Sequence, residues 1–184
     1  DTSNIVIGLQ AKTTHAYDPS ATGDQYATFD SVVIGTEAKA QSGRSIAIGY
    51  KSTTNENRPG MGMFSVSAIA IGEEASTDNG SSNQYTREAI ALGAKAKAFG
   101  DQSVAIGGDT KASGDSSIAI GGDDINQVRI QYGNLYNSIT GQNIPGGYIS
   151  TESSGAGATA IGVMTTASGH FATALGMTAN ASGD

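Results

Sequence analysis

Apolar residues along the chain alternate over three to five positions at a time and then stop at a glycine. Ser103-Val-Ala-Ile-Gly107 returns fourteen residues later as Ser117-Ile-Ala-Ile-Gly121. An Ile/Leu-Gly pair recurs nine times, ending at Gly8, Gly35, Gly49, Gly72, Gly93, Gly107, Gly121, Gly162 and Gly176. The intervals 35–49, 93–107, 107–121 and 162–176 are fourteen residues, whereas those of 27, 23, 21 and 41 are longer, as loops inserted into a regular scaffold would make them. Repeats at a fixed period predict a solenoid. In the clean repeats a second glycine falls seven residues after the first, at Gly100, Gly114, Gly169 and Gly183. Two corners per repeat imply two short strands per turn, because glycine accepts corner conformations without steric cost and period-two alternation marks β structure. The pattern predicts an all-β, flattened parallel β-roll, one coil per fourteen residues, spanning 1–184 as a single domain with insertions at about 13–30, 50–66, 76–88 and 122–157.

Alternation also sorts the side chains into faces. On the first strand, the residue before each glycine is Ile or Leu, and its same-face neighbour is Ile or Val in seven coils and Thr159 or Thr173 in the last two. On the second strand, pairs such as Ala38/Ala40, Ala96/Ala98 and Thr110/Ala112 share a face. The expectation is a thin core in which the large row of one strand meets the small row of the other. That leaves Val33, Ala47, Ala70, Ala91, Ala105, Ala119, Ala160 and Ala174 on the outside as a smooth, uncharged stripe roughly 40 Å tall at the usual strand spacing. A patch of that kind marks an interface, so the stripe is expected to face inward in a symmetric oligomer. The opposite outer face, that of the second strand, carries Glu37, Lys39, Lys51, Glu74, Lys95, Lys97, Asp109 and Lys111 and reads as water-facing.

Composition narrows the chemistry. There are 26 glycines, no cysteine and no tryptophan, so disulfides are excluded, and the glycine spacing is not that of collagen. A formal net charge of -7 argues against a nucleic-acid partner. The histidines, His15 and His170, lack partners at ligand or triad spacing, which predicts no catalytic residue, no metal site and no cofactor. Asp123 and Asp124 beside a glycine corner could hold a hard cation, but fourteen residues is not the nine-residue calcium-binding period. No apolar run is long enough to span a membrane and no signal peptide opens the chain, so it reads as a piece of something longer, with any anchor outside it.

The segments "SVVIGTEAKAQSG", "SIAIGYKS", "AIALGAKAKAFGDQSVAIGGDTKASGDSSIAIGG" and "ATAIGVMTTASGHFATALGMTANASGD" resemble the head domain of the YadA-like trimeric autotransporter adhesins of Gram-negative bacteria. The resemblance implies a left-handed roll, a parallel homotrimer, a place on the bacterial cell surface outside the outer membrane, and binding to host cell-surface or extracellular-matrix proteins such as fibronectin or laminin. Its collagen-associated motif begins Asn-Ser-Val-Ala-Ile-Gly. Here Asp30, Arg44, Gln102 or Ser116 precedes the serine, so collagen binding is not implied.

Aromatic side chains gather in the insertions: Tyr17, Tyr26, Phe29, Phe64, Tyr85, Tyr132, Tyr136 and Tyr148. Loops on a rigid scaffold commonly carry recognition, and tyrosine gives large contact area at low entropic cost. They are the candidate partner contacts, unless they fold the insertions back onto the roll. Ile125, Val128, Ile130 and Tyr132 suggest a short strand or hairpin with Gly133-Asn134 as its turn. Two other readings remain: a spacer that holds another binding region away from the cell, and a β-helix acyltransferase using His15 or His170, whose class runs on six-residue periods.

Overall fold

The computed structural model describes residues 3–13, 30–41, 43–54, 67–78, 86–123, 126–141, 143 and 147–183. Each coil opens with a strand of three to five residues: β1 (Ile5–Ile7), β3 (Val32–Ile34), β5 (Ile46–Ile48), β6 (Ile69–Ile71), β7 (Ile90–Leu92), β9 (Val104–Ile106), β11 (Ile118–Gly122), β13 (Thr159–Val163) and β15 (Thr173–Leu175). These stack in that order as one nine-stranded sheet, every neighbouring pair parallel. The second strands are two residues long: β2 (Lys12–Thr13), β4 (Lys39–Ala40), β8 (Lys97–Ala98), β10 (Lys111–Ala112), β12 (Glu152–Ser153), β14 (Thr166–Ala167) and β16 (Asn180–Ala181). They form two-stranded and five-stranded parallel sheets, and single bridges from Lys39 through Thr53 and Ser76 to Lys97 join these into one ladder. The predicted parallel β-roll is the fold.

The ladder trims the predicted insertions. Residues 50–54, 76–77 and 151–157 belong to coils: Thr53 and Ser76 bridge to the coils on either side, and Glu152–Ser153 pairs with both Lys111–Ala112 and Thr166–Ala167. The last excursion therefore leaves near Asp123 and returns near Ser150, where the Ile149 N–H donates to the Asp123 carbonyl at 3.0 Å. Within it, residues 126–140 form a helix, α1 (Asn126–Thr140), and not the strand or hairpin that the alternation suggested. Tyr132, Leu135, Tyr136 and Ile139 continue at helical spacing, and fifteen residues exceed the usual length of a strand.

The core reverses one expectation about faces. Val33, Ala47, Ala70, Ala91, Ala105, Ala119 and Ala160 have no exposed surface and Ala174 almost none, all within a single chain. This row points into its own roll and cannot be the surface between chains. It meets the second strand's small row, Ala38/Ala40, Ala96/Ala98 and Thr110/Ala112, which is buried as expected. Small faces small, because the two sheets of a fourteen-residue coil lie too close for anything larger. Among the described residues the biggest fully buried side chains are Val33 and five threonines.

Glycine is required where coils touch. Gly35 has φ 134°, and a Cβ there would sit 2.5 Å from the Gly49 carbonyl oxygen of the next coil. At Gly100 φ is ordinary, yet a Cβ would collide with the Gly114 carbonyl. The left-handed corner positions are held instead by non-glycine residues, including Glu37, Lys51, Glu74, Lys95 and Asp109 at φ 52° to 58°. Buried hydroxyls satisfy carbonyls that the corners leave over: Ser103 Oγ donates to the Gly100 carbonyl at 2.7 Å and Thr110 Oγ1 to that of Gly107 at 3.1 Å.

Candidate interaction surfaces

With alanine inside, the branched side chains of the same strands point outward. The row runs through Val32/Ile34, Ile46/Ile48, Ile69/Ile71, Ile90/Leu92, Val104/Ile106 and Ile118/Ile120 and contains no charge. Its middle members are half-buried, shielded by their neighbours one coil above and below. Leu92 at 41% and Ile161 at 37% are more open, as are the terminal coils, with Ile5 at 54% and Leu175 at 72%. Period-two alternation located this row correctly, but the expectation placed it inside the roll, and the structure places it outside. The whole height of the roll therefore shows a continuous apolar wall.

The opposite sheet is polar. Lys39, Lys97 and Lys111 project from it, and Lys111 Nζ lies 2.7 Å from Glu152 Oε1, tying the coil before the helical excursion to the one after it. Along the corner between the sheets, Glu37, Lys51, Glu74, Lys95 and Asp109 follow one another in successive coils with alternating sign. Lys51 Nζ rests over the Tyr50 ring, 4.9 Å from its centroid. A hydrogen bond with Tyr50, and then the carboxylates of Glu37 and Glu74, hold the lysine above its usual 10.5. Such a ladder suits water and offers no one-signed patch.

Of the aromatic candidates, Tyr17, Tyr26, Phe29, Phe64 and Tyr85 lie outside the described residues, as does His15. Tyr132 is exposed on α1, and Tyr148 is exposed beside a groove lined by Lys95, Asp109, Asp123 and Ser150. Tyr136 packs inward, against Met164, which Val163 and Met177 also cover. The candidates therefore divide between the two alternatives set out above. Phe171 was not anticipated: it is 82% exposed at a corner, in the left-handed region at φ 58°. Nothing in its sequence context separates it from the Gln102 and Ser116 that fill the equivalent corner in other coils.

Chemistry is sparse on this surface. The His170 ring takes part in a coil corner, its Nδ1 accepting the Ala156 N–H at 3.1 Å. Among the described residues no three His, Asp or Glu side chains gather as metal ligands, and no helix is long and apolar enough to cross a membrane. Asp124, half of the acidic pair considered for a cation, lies outside the described residues.

Comparison with known proteins agrees with this architecture. Searches of curated proteins and of solved structures return no match. The family model for the YadA head domain repeat matches residues 29–52, 87–110, 100–123, 153–179 and 167–184, together just over half of the chain, and every match falls on coils of the roll. The chain thus belongs to the YadA head-repeat family, the heads of YadA-like trimeric autotransporter adhesins.

Proposed function

We propose that this chain assembles as a parallel homotrimer through its Val/Ile/Leu wall and serves as an adhesin head on the outer face of the bacterial outer membrane, binding host extracellular-matrix or cell-surface proteins of the fibronectin or laminin type. The observation that carries the reading is the wall itself. Nine coils present branched apolar side chains in register over roughly 40 Å, while the alanines that would otherwise explain the alternation are already consumed inside the chain. A wall of that height without a charge is stable once other walls cover it. Three parallel copies then present every insertion three times, so weak single contacts gain by effective concentration, and Tyr148 is an exposed aromatic side chain of one such insertion.

The test pairs sedimentation with binding. The double variant Ile48→Asp/Ile71→Asp is expected to sediment as a single chain with its β-roll signature retained. Its apparent affinity for immobilised fibronectin or laminin is expected to fall by about 100-fold or more as avidity is lost. A wild-type chain that is monomeric at micromolar concentration overturns the assembly. A trimer that binds none of fibronectin, laminin or host cells favours the spacer reading instead, which the unbroken register of the nine-stranded sheet past every excursion also suits.

A further inference from the structure

Helix α1 is poorly equipped to stand in water. Its fifteen residues include one charge, Arg129, with no acidic side chain in the first turn and no basic one in the last to offset the helix dipole. Gly133 sits in its interior, and a helix of this length is marginal without tertiary packing. Among the described residues its own chain supplies chiefly the contact of Tyr136 with Met164. Tyr132, Leu135 and Ile139, spaced i, i+3 and i+7 along one stripe, remain 54%, 57% and 74% exposed.

That stripe continues the apolar wall. Val163 lies two residues beyond Ile161 on β13 and so leaves the sheet on the same side. From Ile161 through Val163 and Met164 to Tyr136, and on to Leu135 and Ile139, the named side chains carry no charge. Met177, which packs on the same Met164, stands two residues beyond Leu175 in the next coil.

We infer that α1 is an intersubunit strap: its Tyr132/Leu135/Ile139 stripe packs on the adjacent copy of this chain where that copy covers Ile161 and Leu175. The inference rests on the trimer reading above and adds to it, since the coil repeat contains no helix. A second copy is the occupant because it is what meets Ile161 and Leu175, and the stripe is contiguous with them. A host protein has no access to a wall closed around the trimer axis.

The chain has no cysteine, so Leu135→Cys introduces a unique thiol to which a benzophenone can be attached. Chains grown in 14N and in 15N are refolded together, irradiated, and their crosslinked peptides sorted by isotope. Crosslinks joining 14N to 15N chains are expected. Crosslinks confined to one chain, in a protein that sediments as a trimer, overturn the strap and leave the trimer standing, whereas a monomer overturns both. Crosslinks to added fibronectin or laminin in place of the second copy also overturn it. Independently, Leu135→Glu/Ile139→Glu is expected to lower the concentration stability of the trimer about tenfold or more, with β-sheet content unchanged. Unaltered dissociation on dilution counts against the strap.

Discussion

The coils from 86 to 123 and the helix that follows them solve the same problem in opposite ways. In the coils the strand backbones bond to the coils on either side, as Gly107 N does to the Leu92 carbonyl at 2.8 Å and Val104 N to that of Ser117 at 2.9 Å. The side chains between are small enough to vanish completely. Helix α1 satisfies its backbone internally, and so it is free to stand away from the roll with its larger apolar residues uncovered. The roll's core is therefore complete within one chain, while the helix and the outer wall are not. What a region buries, and not how apolar it is, tells which part needs a partner.

That contrast can be broken from the inside of the coils first. Ala105→Leu forces three heavy atoms into a space that accepts nothing beyond valine or threonine, and is expected to cost about 3 kcal/mol, read as a lowered denaturant midpoint. A midpoint unchanged by this substitution would mean that the two sheets can part, and the account of the thin core would fail. A smaller effect of opposite sign is expected at Ser153. Its hydroxyl is buried without a hydrogen-bond partner, and its neighbours in register are Ala112 and Ala167. Ser153→Ala should therefore stabilise the roll by about 1 kcal/mol in the same assay, since an unpaired buried hydroxyl is a net cost.

The smallest effect belongs to the helix. Among the described residues a Cβ at Gly133 meets only the Arg129 Cγ at 3.9 Å, so Gly133→Ala fits without strain. It should slow amide exchange across 126–140 several-fold, corresponding to just under about 1 kcal/mol, and leave the exchange of the coils unchanged. Slowing that spread into the coils would show the two regions to be one cooperative unit, and the comparison would lose its basis.

Reading the sequence recovered the coil count, the first strand of each coil and the buried face of the second strand in the clean repeats, because each follows from local spacing. Thr53, Ser76 and Glu152–Ser153, by contrast, fall within the predicted insertions and belong to coils. The first strand's orientation was misread. Alternation groups Val32 with Ile34 and isolates Val33, but the habit of placing large residues inside then sends Val33, Ala47 and Ala105 outward. The structure sends them inward. The helix was misread for a related reason: Ile125, Val128, Ile130 and Tyr132 can be arranged on a strand, and the pattern becomes helical only when Leu135, Tyr136 and Ile139 are included. As for the candidate contacts, the sequence placed tyrosines in excursions without distinguishing Tyr132, which faces outward, from Tyr136, which grips the roll.

The sequence by itself determined that this chain winds into coils of fourteen residues, since an Ile/Leu-Gly pair marks one corner of every coil and, in four copies, a second glycine seven residues on marks the other. Only the tertiary structure decided which side of each strand is interior. That choice depends on the gap between two sheets, a distance no single strand encodes, and a gap this narrow admits alanine, serine and threonine while it turns isoleucine out to form the wall.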